Sequence, residues 1–227
     1  MKYIYILLLL FIIIYITIKI VYIDKLDNII PTFHILIATN GRPSMIKLLD
    51  SLREQLNEDD AITIVFDGPD AYNRSEYNDS WIADFKSKVN IIIQEKNTGF
   101  WGHPIRQKYV SILNPKTTFI MHADDDDYYL PDSFDKLRKK CIDPYTLYIA
   151  KMDFLNIRDQ VIPSQNEKII LSDIGNPNGI TPYDLAPRGI WGNSYIGDFE
   201  YYNTLQNHVK NIVFLDDIIY RVNHTVP

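Results

Sequence analysis

Cysteine is nearly missing from this chain of 227 residues, where Cys141 stands alone. No intrachain disulfide and no thiolate zinc cluster can form. Cys141 follows two lysines in a helical stretch and reads as a small, partly buried apolar residue. Histidine is scarce as well, at five residues, which argues against a histidine-rich metal centre. Positive charge is in deficit: 23 Lys and Arg against 29 Asp and Glu leave a net charge of -6. A nucleic-acid binder needs a basic face for phosphates, so that class is set aside. There is no internal repeat, and no low-complexity tract outside the N-terminus. What remains is ordinary: 46% hydrophobic and 23% charged residues, in a length that supports one domain with a real core.

The N-terminus differs from the rest. From Tyr3 to Ile23 nearly every residue is apolar, with Thr17 and Lys19 as the interruptions. As a helix this run spans roughly 30 Å, the thickness of a bilayer core. It is long for the apolar region of a cleaved signal peptide, and no small-x-small pattern follows it. Tyr3, Tyr5 and Tyr22 stand near its edges, where amphipathic rings are favoured, and Lys19 could snorkel to the interface. Residues 1–23 therefore read as a single-pass transmembrane signal-anchor and residues 24–32 as a tether. A cleaved signal peptide is the alternative. Lys2, Lys19 and Lys25 flank the span without a clear bias, so the side that carries the remainder is undetermined.

From residue 33 to 227 apolar runs alternate with amphipathic stretches. Phe33–Thr39, Ala61–Phe66, Val89–Ile93 and Thr117–Met121 read as buried strands. Met45, Leu48, Leu49, Leu52 and Leu56 recur at helical spacing, with Ser44 as a candidate N-cap. Pro104–Leu113 reads as a second helix, and Asp132 with Asp135 as a capping box opening a third to Lys140. Beyond Cys141, strands are expected at Thr146–Ala150 and Lys168–Leu171, a long loop at Gly175–Gly192, a helix from Asp198 to Asn207 and a closing strand pair at Ile212–Leu215 and Ile218–Arg221. Strand, helix, strand in repetition predicts an α/β fold: a sheet flanked by helices, with ligands bound beyond the C-terminal strand ends. The polar clusters Thr39–Pro43, Asp67–Asp70, Asn97–Arg106 and Asp124–Asp127 all follow strands and should converge on one rim.

Four consecutive carboxylates, Asp124 to Asp127, directly after a buried strand repel one another. A divalent cation relieves that repulsion. Oxygen donors suit Mg2+ or Mn2+, which are held by one or two carboxylates plus substrate phosphates. An acidic surface turn is the plainer alternative.

At this point the chain from Phe33 to His224 resembles the family 2 glycosyltransferases and related enzymes of the GT-A fold. The resemblance is carried by six elements in the family's order: Thr39-Asn40-Gly41-Arg42-Pro43, Phe66-Asp67-Gly68, Asn97-Thr98-Gly99 with Arg106, His122-Ala123-Asp124-Asp125-Asp126-Asp127 with Pro131, Gly197-Asp198, and Tyr220-Arg221-Val222-Asn223-His224. It implies a Rossmann-like mixed sheet and transfer of a sugar from a metal-bound nucleotide-sugar, UDP-linked by preference, to an acceptor hydroxyl with inversion. By the same resemblance Thr39, Arg42, Asp67, Asn97, Gly99, Arg106, Asp124 and Asp125 hold the nucleotide-sugar. Asp124, Asp126 and His224 ligate Mn2+ or Mg2+, although the register leaves Asp125 with Asp127 open. Asp198 is the base that takes the acceptor proton, with Glu200 as the second choice because Gly197 stands where the family has Glu. Trp191, Gly192 and Asn193, in a Gly-rich stretch, are expected to touch the acceptor: a glycan, a lipid or a protein. Trp101, Tyr195 and Tyr128 flank the polar clusters as further sugar-stacking candidates. Two other functions fit parts of the pattern. A sugar-phosphate nucleotidyltransferase shares the strand-then-carboxylate design, although Asn40-Gly41-Arg42-Pro43 is short for its Gly-rich loop. A nucleotide-sugar-binding protein without turnover would share the scaffold.

Overall fold

The computed structural model describes residues 10–18, 30–154 and 157–223. The chain divides into two compact units, Met1–Ile30 and Pro31–Pro227. In the first, residues 10–18 are helical, and the Thr17 hydroxyl donates to the carbonyl of Ile13 at 2.8 Å, so it is satisfied within the helix. Among the described residues no helix is long and apolar enough to cross a membrane. The rest of the expected span, on both sides of residues 10–18, lies outside them.

The second unit is built on one twisted sheet. Among the described residues it has nine strands: β1 Phe33–Thr39, β2 Ala61–Phe66, β3 Lys88–Ile93, β4 Phe119–Asp124, β5 Tyr128–Tyr129, β6 Thr146–Asp153, β7 Val161–Ile162, β8 Gly179–Pro182 and β9 Asn211–Arg221. The order is β3-β2-β1-β4-β8-β6-β9-β5, with β7 on β6. β1, β2, β3 and β4 run parallel. All seven residues of β1 and all six of β2 are buried, as a continuous apolar run in a helix-covered parallel sheet must be. β8 lies antiparallel to both β4 and β6, and so turns the sheet mixed.

Among the described residues five α-helices accompany the sheet: α1 Met45–Arg53, α2 Pro69–Arg74, α3 His103–Tyr109, α4 Ser133–Lys140 and α5 Gly197–Leu205. α1 buries Met45, Leu48, Leu49 and Leu52 against Ile35, Ile37 and Ile64 on one face of the sheet. α3 buries Ile105 and Tyr109 with Leu36, Val65 and Ile120 on the other. α5 closes a third cluster of Trp191, Tyr201, Tyr202, Leu147 and Ile149. Cys141 is fully buried, as a small apolar residue would be.

Several details depart from the sequence reading. β4 reaches Asp124, so the first acidic residue is still in the strand. Residues 168–171 form no strand. The expected loop Gly175–Gly192 contains β8, and the expected closing pair is one strand, β9, whose pairing with β6 shifts register between Ile149 and Met152. Asp132 and Ser44 precede their helices without a side-chain cap; Asp132 itself turns left-handed, at φ 61°. Helix formation there rests on the buried apolar face rather than on capping.

His34, on β1, is fully buried between the Pro115 carbonyl, 3.1 Å from Nδ1, and the Thr63 hydroxyl, 2.8 Å from Nε2. Burial lowers its pKa to about 4. The folded state thus binds this proton less readily than the unfolded chain. Its contribution to stability is complete above the unfolded value near 6.5 and is lost as pH falls toward 4, up to roughly 3 kcal/mol. Urea unfolding of the wild type should weaken over that window, and His34→Gln should flatten the dependence.

Candidate active site

The polar clusters do meet on one rim. Thr39 at the end of β1 with Asn40 and Arg42 beyond it, Asp67 after β2, Arg106 from α3, Asp124 at the end of β4 with the next three carboxylates beyond it, and Asp198 from α5 line a single cleft of about 560 Å³.

The four carboxylates are held by different partners, with Arg42 shared between Asp125 and Asp126. Asp125 is buried and accepts from the Thr39 hydroxyl at 2.6 Å and the Asn40 amide at 3.2 Å. Asp127 is buried and accepts from the Asn223 amide at 2.8 Å. Asp124 and Asp126 are the more open pair. Asp126 is bound by Arg42. Asp124 accepts from Arg106 at 2.5 Å and from the Asn176 side-chain amide at 3.0 Å. Burial raises the Asp124 carboxyl above the usual range, and the Arg106 guanidinium opposes the rise. Burial raises Asp125 likewise, with Arg42 opposing. The Asp124 backbone is gripped by Tyr220 of β9: its amide donates to the phenol oxygen at 3.0 Å, and the hydroxyl donates to its carbonyl at 3.2 Å.

Arg106 is not on a solvated helix face. It is 1% exposed and donates to the carbonyls of Trp101, at 2.6 Å, and Ala123, at 3.5 Å, as well as to Asp124. Asp67 lines the cleft, but its carboxylate is engaged by its own chain. It accepts from Gln94 at 3.3 Å, from the Thr98 amide and hydroxyl at 2.7 and 2.8 Å, and from the Gly99 amide at 2.9 Å. Asn97 donates to the Asp67 carbonyl at 3.2 Å. Asp67 therefore organises the following loop, in which Gly99, Phe100, Trp101 and Gly102 all have positive φ. Two successive aromatic residues in that region are costly and need such an anchor. Asp67→Ala should free four donors, speed hydrogen exchange at residues 98–102 and cost about 1–3 kcal/mol by urea unfolding.

Asp198 is the second residue of α5, where the helix N-terminus favours a negative charge. One of its oxygens accepts from the Asn176 amide at 3.0 Å; the other lies 3.6 Å from Nε2 of His103. Glu200 faces the other way: it accepts from Ser194 at 3.2 Å and packs against Gly192, where any β-carbon would collide with its carboxylate. Glu200, unlike Asp198, does not line the cleft.

Trp191 is the main correction. It is 5% exposed and stacks on Tyr201 with centroids 4.4 Å apart, on His103 at 5.3 Å and edge-on to His122 at 5.0 Å. It belongs to the core behind Asp198 and not to an acceptor surface, because the Gly-rich segment that carries it is pressed against α5. Gly192 offers its carbonyl to His103 Nδ1 at 2.8 Å. Asn193 alone of that trio is exposed. His122 is fully buried with neither ring nitrogen hydrogen-bonded; burial holds it well below the usual histidine range, so it packs as a neutral ring. The rings at the cleft mouth are Trp101 and Tyr195, 60% and 81% exposed and 5.8 Å apart.

His103 and Asn176 escaped the sequence reading. His103 lay inside the Asn97–Arg106 cluster without a motif of its own, and Asn176 in a stretch that reads simply as loop. Phe154 and Arg158, also lining the cleft, carry no sequence signal.

As to a metal, no group of three His, Cys, Asp or Glu is gathered to hold an ion among the described residues. His224, the expected third ligand, lies outside them. Asp124 and Asp126 nevertheless supply oxygen donors alone, which fits Mg2+ or Mn2+ completed by substrate phosphates.

No protein-family model matches the sequence, and no curated protein matches it. Solved structures do match the fold. One is residues 1–349 of S. aureus TarS in complex with UDP-GlcNAc: TM-score 0.67, 18% identity, covering 86% of this chain and 59% of that one. Another is the mannosyltransferase PcManGT from Pyrobaculum calidifontis in complex with GDP-Man and Mn2+: TM-score 0.61, 13% identity, covering 88% and 58%. The chain spans under two thirds of each. The likeness bears out the expected GT-A-type α/β fold.

Proposed function

We propose that this chain is a glycosyltransferase that moves a sugar from a metal-bound nucleotide-sugar to an acceptor hydroxyl. The observation that carries the reading is the meeting of Asp124, Asp126 and Asp198 on one cleft, reached from β4 on one side and α5 on the other. The solved neighbours hold UDP-GlcNAc and GDP-Man with Mn2+, which supports a nucleotide-sugar and a divalent cation here.

Asp124 and Asp126 would hold the cation. Bound there, it would supply Lewis-acid neutralisation of the diphosphate's negative charge. Arg42, held between Asp125 and Asp126 and half exposed, offers a positive group for phosphate oxygens. Arg106 acts from behind by fixing Asp124. The Asp198 carboxylate takes the proton as the acceptor oxygen attacks the anomeric carbon; a single base opposite the leaving group corresponds to inversion. Trp101 and Tyr195 present faces for a sugar ring at the entrance.

Isothermal titration with UDP-GlcNAc, UDP-glucose and GDP-mannose, each with Mn2+, tests the reading. At least one should bind, and Asp126→Asn should weaken that binding about tenfold or more while leaving the melting temperature near wild type. Failure of all three to bind would count against it. We extend the proposal to attachment at a membrane through residues 3–23, on the strength of their apolar sequence. Alkaline carbonate extraction of membranes should leave the full chain in the pellet.

A further inference from the structure

We infer that His103 is a positioning residue that receives, through Asp198, the proton taken from the acceptor. This rests on the reading of Asp198 as the base. The geometry assigns the ring's protons. Nδ1 lies 2.8 Å from the Gly192 carbonyl, which can only accept, so Nδ1 carries a hydrogen. In the neutral ring Nε2 is then a lone pair, and it lies 3.6 Å from an Asp198 oxygen. Two acceptors face each other, and the contact becomes favourable when a proton stands between them. Asp198 acquires such a proton when it deprotonates the acceptor hydroxyl.

The step balances. The acceptor oxygen bonds to the anomeric carbon, the bond from that carbon to the diphosphate oxygen breaks, and the hydroxyl proton goes to Asp198. It then moves to Nε2, restoring the carboxylate and leaving an imidazolium between Asp198 and the Gly192 carbonyl. Solvent takes the proton after the product departs. Catalytic contacts in an empty site are commonly longer than in the reacting complex, which accommodates the 3.6 Å separation.

The surroundings are built for this ring. His103 is 3% exposed and stacked on Trp191. A β-carbon at Gly197 would run into its Cε1 and Nδ1, so glycine before Asp198 is what lets the imidazole reach the carboxylate. The charged and titratable groups around it are Asp198 from α5, Arg106 from its own helix and His122 from β4, with Asp124 beyond Arg106.

The test uses the full chain in detergent, labelled with 15N-histidine and assigned with His103→Gln. Asp198→Asn should move the Nε2 resonance of His103 and leave Nδ1 near its wild-type position. In Mn2+-dependent UDP-GlcNAc hydrolysis, His103→Gln should lower kcat tenfold to about a hundredfold at unchanged KM. His103→Gln with Asp198→Asn should be no slower than Asp198→Asn alone, because a residue acting through Asp198 has nothing left to act on. An unmoved Nε2 resonance, or rate losses that multiply, overturns the relay while a slow Asp198→Asn keeps the base. Wild-type rates in Asp198→Asn would remove both.

Discussion

Asp198→Asn should lower glycosyl transfer by about 10²–10⁴-fold, the range lost when a positioned general base is removed. Asparagine matches aspartate in shape and keeps an oxygen for the Asn176 amide, which now donates at 3.0 Å. Folding and donor binding should therefore survive, and titration with Mn2+ and donor should give a dissociation constant near wild type. Loss confined to kcat is the signature of an interaction made only in the transition state. A parallel loss of donor affinity would instead make Asp198 part of the nucleotide-sugar cradle. The pairing of Asp198 with Asn176, which also binds Asp124, makes this distinction worth measuring, since one residue touches both carboxylates.

Trp191→Ala should cost about 3–5 kcal/mol in urea unfolding, the range for deleting a buried tryptophan. For a unit of this size that corresponds to a melting temperature lower by roughly 10 °C. Trp191→Phe should cost far less: the indole Nε1 is buried with no hydrogen-bond partner, so the smaller ring removes an unsatisfied donor together with some packing. The pair separates core from acceptor contact. A core role makes stability track ring volume. A surface stacking role would leave the melting temperature alone and raise the acceptor KM instead.

Trp191 also shows where the sequence stopped being legible. The strands β1, β2 and β4 were plain because central parallel strands are buried on both faces and so read as short, mostly apolar runs between turn signals. Convergence of Thr39, Arg42, Asp67, Arg106 and the four carboxylates followed from that topology, since all of them leave the sheet at the same end. The register of the acidic residues was not legible. It depends on Thr39 and Asn40 capturing Asp125 and on the Asn223 amide capturing Asp127, partners 86, 85 and 96 positions away. The place of Asp67 on the rim was legible, but not its part as the anchor of its neighbouring loop. His103 carried no motif of its own, and Trp191 was misplaced because of its flanks. Glycine-rich flanks suggest exposure, whereas here Gly192 and Gly197 are small so that Glu200 and the imidazole can pack closely. Close approach and open surface leave the same residues in the sequence, and only tertiary context separates them.

The grip of Tyr220 on Asp124 spans 96 positions of chain. During synthesis the acidic turn emerges long before the strand that clamps it, and closing so long a loop is an entropic cost met only when β9 docks. Once Asp127 has cleared the exit tunnel, the four carboxylates stand without Tyr220 or Asn223 to order them until β9 is made. If the proposed function holds, donor capture should appear only once β9 has joined the sheet.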